Sequence, residues 1–196
     1  MRRPPVALDL RPWFSNEDRG HSKKTLIVCH ETVSHNRPGL GDVTGVAAYL
    51  DATGLEIHGI IDQEGHFAWC YEPTAIFDHA ASGRGSVNTR SIGIELVSEI
   101  PLFSSKEVRR AAWESDDRKK QLNTLARVIA WLASSVPGVD VPLRYSDASR
   151  PGITSHWSVS RTYLAGDGHW DCWPIHMGGH FPALYVVQRA RQLLEV

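Results

Sequence analysis

The run Thr25-Leu-Ile-Val-Cys-His-Glu-Thr32 constrains this chain more than any other stretch. Its β-branched and aliphatic residues predict a buried central strand that ends on a histidine, His30. A histidine in that place presents a ring nitrogen at the rim of a sheet, where metal and catalytic sites often form. A core histidine satisfied by a carbonyl is the plainer reading, and for a lone histidine the stronger one. His30 is not alone. Its neighbour Cys29 turns to the other face by strand alternation, into the core.

The 196 residues suffice for one sizeable core, and no stretch reads as a linker between domains. A formal charge of −1 leaves no basic footprint for nucleic acid and no polybasic patch for a membrane. No apolar h-region follows Arg2 and Arg3, and no run is long enough to span a bilayer. The expectation is a chain made in a cytoplasm without a signal peptide. Ten histidines against two methionines and three cysteines suggest metal chemistry. Cys29, Cys70 and Cys172 are too few and too irregularly spaced for a disulfide framework or a zinc ribbon.

Residues 1–24, rich in Pro, Arg and Asp, read as an irregular arm, and residues 25–196 as one domain. His35 to Gly41 is a loop by its Pro and Gly content. Val43, Val46, Ala47 and Leu50 recur at helical spacing, with Asp42 as N-cap and Gly54 past the end. Residues 55–62 and 66–71 read as a hairpin around Gly65. A long loop over 72–90 precedes the strand Ser91-Ile-Gly-Ile-Glu-Leu-Val97. Alternation there puts Ile92, Ile94 and Leu96 on one face and Gly93, Glu95 and Val97 on the other. Glu95 in so apolar a strand is costly to bury unpaired, which makes it an ion-paired group or a functional carboxylate.

A polar connection then leads to a helix over 116–136, striped by Leu122, Leu125, Ile129, Leu132 and Val136 and stopped by Pro137-Gly138. Val141 to Tyr145 reads as a short edge strand, and Gly152 to Gly179 as loop. A last helix over 182–194 is expected to bury Leu184, Val187, Ala190 and Leu194. The fold class is α/β: a single layered domain with a central mixed β-sheet flanked by roughly three helices.

Six stretches carry a resemblance. They are His30 ending its strand, Ile57-His58 to Gly65, Asp78-His79-Ala, Ser91-Ile-Gly-Ile-Glu-Leu96, Gly152-Ile-Thr-Ser-His156 and His169-Trp-Asp171. From about Thr25 to Pro174 the chain resembles the zinc-dependent N-acetylmuramoyl-L-alanine amidases of the amidase-2 type. These share their fold with peptidoglycan recognition proteins and include many bacteriophage endolysins. The resemblance implies one catalytic Zn2+ held by His30, His156 and Asp171, with Glu95 as general base. It places His169 where relatives carry a catalytic lysine, as a donor to the oxyanion. No tyrosine precedes His58, since Ile57 stands there, so the base role falls to Glu95.

His58, His79, Trp157 and Trp170 are candidate substrate contacts, with hydrogen-bonding or packing roles as the alternative. Trp157 to Gly168 reads as an insertion, which leaves Cys172 and Asp167 as rivals to Asp171; the spacing of two residues from His169 favours Asp171. His21, His35, His66, His176 and His180 read as solvated or loop-supporting.

Two imidazoles, one carboxylate and an open fourth position suit a catalytic zinc rather than a structural one. The implied activity is cleavage of the amide between N-acetylmuramic acid and L-alanine of peptidoglycan, by a monomer. The implied setting is a host cytoplasm, with action on the wall after release. Two rivals share the fold: a non-catalytic peptidoglycan-binding module and a recycling amidase acting on soluble anhydro-muropeptides. A histidine-rich protein without metal is the third.

Overall fold

The His30 strand lies inside a sheet whose strands, in chain order, are β1 (Leu8–Asp9), β2 (Leu26–Glu31), β3 (Gly59–Ile61), β4 (Phe67–Trp69), β5 (Ser91–Leu96) and β6 (Gly152–Ser155). The structure is a computed structural model that describes residues 7–14, 19–32, 42–80, 86–98, 100, 104–164 and 171–195. Spatial order is β1-β4-β3-β5-β2-β6. Strands β3, β5, β2 and β6 run parallel, β4 is antiparallel to β3, and β1 is parallel to β4. Four strands therefore end at one rim, the place where open α/β sheets bind ligands.

All six residues of β2 are buried. Ile27 and Cys29 join one core with Ile92, Ile94 and Leu96 of β5, while Leu26 and Val28 pack with Val87 and Val159 on the other face. Burial on both sides explains why the strand is a continuous apolar run rather than an alternating one.

Among the described residues the helices are α1 (Val43–Thr53), α2 (Ser86–Arg90), α3 (Lys106–Glu114), α4 (Asp116–Ser135), α5 (His156–Tyr163) and α6 (Ala183–Leu194). Helix α1 starts and stops where its sequence predicts. The Asp42 carboxylate accepts the Gly45 N–H at 2.7 Å, and Gly54 closes the helix at φ 68°, a left-handed value that suits glycine. Helix α4 buries Leu122, Leu125, Ile129 and Leu132. Its first turns also bury Arg118 and Gln121: both donate to the carbonyl of Val97, just beyond β5, and Gln121 also donates to that of Ile61, the last residue of β3. No helix among the described residues is long and apolar enough to cross a membrane.

The structure corrects several expectations. The six helices are twice the three expected. Helix α3 occupies part of the stretch read as a polar connection; only Arg109 and Trp113 are buried on it, too few to write a stripe. Residues 141–145 form no strand, and only Tyr145 bridges to Ile153. The stretch read as loop after Gly152 holds β6 and α5, so most of the supposed insertion is helix. In α6, Leu184 is 51% exposed and Val186 takes the buried place. The arm is not wholly irregular, since Leu8 and Asp9 add an edge strand to β4. The predicted loop at 35–41 lies outside the described residues, apart from the N-cap that follows it.

Candidate metal centre

The parallel rim gathers the site. Strand β2 brings His30 opposite Glu95 of β5, and paired residues on neighbouring strands share a face. Strand β6 runs straight into α5, whose N-cap Ser155 accepts the Ser158 N–H at 3.3 Å. His156 is thereby the first helical residue, set at the sheet edge by a strand-to-helix turn. Asp171 returns to the same place because its carbonyl accepts the Trp157 N–H at 3.2 Å.

His156 Nδ1 lies 3.0 Å from Asp171 Oδ2, and His30 Nδ1 lies 3.7 Å from the same oxygen. The two imidazole rings stand 4.6 Å apart. One donor atom from each of His30, His156 and Asp171 falls within 4.8 Å of the others, and all three residues are buried. Buried donors that converge so closely fit a divalent cation, and the two-nitrogen, one-oxygen set suits a catalytic zinc. Cys172 packs instead in the core on the other side, its backbone left-handed at φ 54°. Burial pushes that thiol well up, away from the thiolate a metal needs.

Burial, with Asp171 and then Glu31 adding negative charge nearby, pushes the Glu95 carboxyl well above the usual range. A divalent cation on the three donors acts in the opposite sense. Glu95 thus stands where a proton can be taken up or released.

His58 is fully buried, accepts the Gly93 N–H on Nδ1 at 3.1 Å and lies 2.9 Å from the Ala75 carbonyl through Nε2. Both ring nitrogens thus have backbone partners, which is the hydrogen-bonding role weighed beside substrate contact in the sequence. His79 meets Nε2 of His30 at 3.2 Å, on the far side of that ring from Asp171, and so contacts the ligand set. Trp157 is partly buried and stacks on Trp173 at 5.5 Å, with the Arg161 guanidinium 5.1 Å from its ring. His169, Trp170 and Asp167 lie outside the described residues.

The sequence reading missed a second buried cluster beneath the rim. Glu31 Oε2 lies 3.0 Å from His180 Nε2, and Arg109 Nη1 approaches Glu31 Oε1 at 3.9 Å. His180 is therefore a buried partner rather than a loop support. The signal was present: Glu31 is a carboxylate in an apolar strand, as Glu95 is.

Gly93 makes room for this arrangement. A Cβ there would lie 2.5 Å from Ile57 Cδ1 and 2.6 Å from His79 Nδ1. Gly93→Ala is expected to cost about 1–3 kcal/mol by overpacking. The midpoint of urea unfolding measures it, and an unchanged midpoint would show that the ring moves aside freely.

Comparison with known proteins decides the family. The Amidase_2 profile, described as N-acetylmuramoyl-L-alanine amidase, matches residues 21–172. The chain belongs to the Amidase_2 family. It is an N-acetylmuramoyl-L-alanine amidase, a peptidoglycan hydrolase with a buried His/His/Asp group. No curated protein sequence matches it. Solved structures share the Amidase_2 fold at low identity. The Staphylococcus aureus hydrolase AmiA is 15% identical with a TM-score of 0.65, covering 99% of this chain and 86% of AmiA. The endolysin amidase LysCS from Clostridium intestinale URNW is 14% identical with a TM-score of 0.61, covering 96% and 97%. The PlyG catalytic domain is 14% identical with a TM-score of 0.57, covering 98% and 94%.

Proposed function

We propose that this amidase is an endolysin-type zinc enzyme of bacteriophage origin, which opens bacterial walls by cutting N-acetylmuramic acid from L-alanine. The observation that carries the reading is the convergence of His30, His156 and Asp171 at the strand rim, with Glu95 on the same face. The two histidines and the aspartate would hold one Zn2+. When bound, zinc polarises the amide carbonyl and brings the pKa of water to about 7.

The protein's own part is proton transfer and positioning. A carboxylate oxygen of Glu95 takes the proton of the attacking water and passes it to the departing L-alanine nitrogen. The resemblance assigns His169 an N–H donated to the oxyanion that develops on the scissile carbonyl. Trp157 offers an aromatic edge beside the site for the glycan or stem peptide. We place the action at the wall after release from a host cytoplasm, by the monomer.

Digestion of purified sacculi tests the reading. The expected products carry new L-alanine amino termini and no new reducing sugar ends, in a reaction lost to a chelator and recovered with zinc. Faster turnover of soluble anhydro-muropeptides than of sacculi would favour a recycling enzyme. Binding to sacculi without new amino termini, even in zinc, would overturn the catalytic reading.

A further inference from the structure

We propose that His79 is a positioning residue that fixes which nitrogen of His30 carries the proton. It does so through a one-way hydrogen-bond relay that ends on the Val87 carbonyl. Its consequence for metal binding rests on the zinc reading above; the proton pattern itself does not.

The relay is read from its buried end. Ser91 Oγ lies 2.7 Å from the Val87 carbonyl oxygen and 2.9 Å from His79 Nε2. A carbonyl only accepts, so the single hydroxyl proton of Ser91 is committed to Val87. Towards His79 the serine oxygen can then only accept, and a neutral His79 carries its proton on Nε2. That leaves a lone pair on His79 Nδ1, which accepts from His30 Nε2–H across 3.2 Å. His30 in turn keeps its lone pair on Nδ1, the nitrogen facing Asp171. Each link follows from the one before, and the result is the tautomer a metal ligand needs. Ligating histidines usually donate their second nitrogen to a carboxylate, carbonyl or water. Here a second histidine takes that place.

Packing holds the relay in one arrangement. Ser91 is fully buried. The His79 ring lies over Gly93 and stands perpendicular to His58, 5.3 Å away. His58 is fixed by the same logic, since its Nδ1 accepts the Gly93 N–H and its Nε2 must donate to Ala75. The buried Lys24 ammonium donates to that Ala75 carbonyl at 2.6 Å and to Thr89 at 3.0 Å. All these contacts run inward from the metal site, and none depends on substrate.

Long-range 1H–15N correlation spectra of the metal-free protein read the pattern directly. His30 and His79 are both expected as Nε2–H tautomers, and an Nδ1–H on His30 would overturn the proposal. Ser91→Ala removes the anchor and lets His79 reverse. Zinc affinity, measured by chelator competition, is then expected to fall about 10–100-fold. His79→Leu should lose as much, whereas His79→Gln, whose amide oxygen can accept from His30, should recover most of it. Wild-type affinity in both Ser91→Ala and His79→Leu, in folded protein, would sink the relay. If the wild-type chain binds no zinc, the metal reading fails while the spectra still decide the proton pattern.

Discussion

His156→Ala is expected to lose zinc and wall-lysing activity together. The substitution deletes one of three converging donors and leaves the Asp171 carboxylate without the ring that meets it at 3.0 Å. Removing a partner that merely orients a ligand costs about 10–100-fold in metal affinity, so removing a ligand should cost more than about 100-fold. His30→Ala should behave alike, because its Nδ1 faces the same aspartate oxygen. Metal analysis of purified protein and the clearing of a wall suspension are the two measurements. A fully active preparation free of metal would end the zinc reading. Asp171→Ala should also lose zinc, while Cys172→Ala should retain it, because that thiol lies in the core.

Glu95→Gln should fold and hold zinc yet lose turnover by about 10²–10⁴, the usual worth of a general acid–base group. The amide matches the carboxylate in shape but cannot take a proton from water. The same variant also makes a stability prediction of definite sign. In the metal-free protein, burial together with Asp171 and Glu31 raises the folded pKa of Glu95. The stabilising effect of that shift is present below the unfolded value of about 4.3 and is lost as pH rises through the folded value. At pH 7 to 8 the metal-free Glu95→Gln protein should therefore resist urea better than metal-free wild type, and the gap should close towards pH 4. A Glu95→Gln protein that resists urea less well than wild type at pH 7 to 8, with the deficit shrinking on acidification, would mean Glu95 is a stabilising ion-pair partner. Near-normal turnover in the zinc form would move the base elsewhere.

Much of the architecture is legible in the order of residues alone. Strand β2 announces itself by an apolar run and α1 by its cap and stripe, because those signals are local. The α4 stripe is local too, since the helix buries a long continuous face. Helix α5 is hidden for the opposite reason: His-Trp-Ser-Val-Ser-Arg-Thr-Tyr offers one buried aliphatic residue, Val159, and several weak helix formers. Its one signal is the serine cap, which is easily read as a turn. The three candidate ligands are legible through the spacing of a resemblance, not through physics, since nothing local says that residues 30, 156 and 171 meet. The Glu31, His180 and Arg109 cluster and the His79 relay are long-range polar contacts. No periodicity encodes them, and only a fold that brings β2, α3 and the approach to α6 together reveals them.

The ligand set also has a mechanical meaning. His30 belongs to an early inner strand, whereas His156 and Asp171 come from the last third of the chain. An ion shared among them is a clip across a long chain loop, the kind of closure that gains most against the unfolded ensemble. An ion that binds only the folded form adds about 2.7 kcal/mol of stability when present at 100 times its dissociation constant. Zinc supply would therefore set how long a molecule survives proteases as well as how fast it cuts. In a zinc-poor medium the enzyme would fall silent and be degraded for one and the same reason.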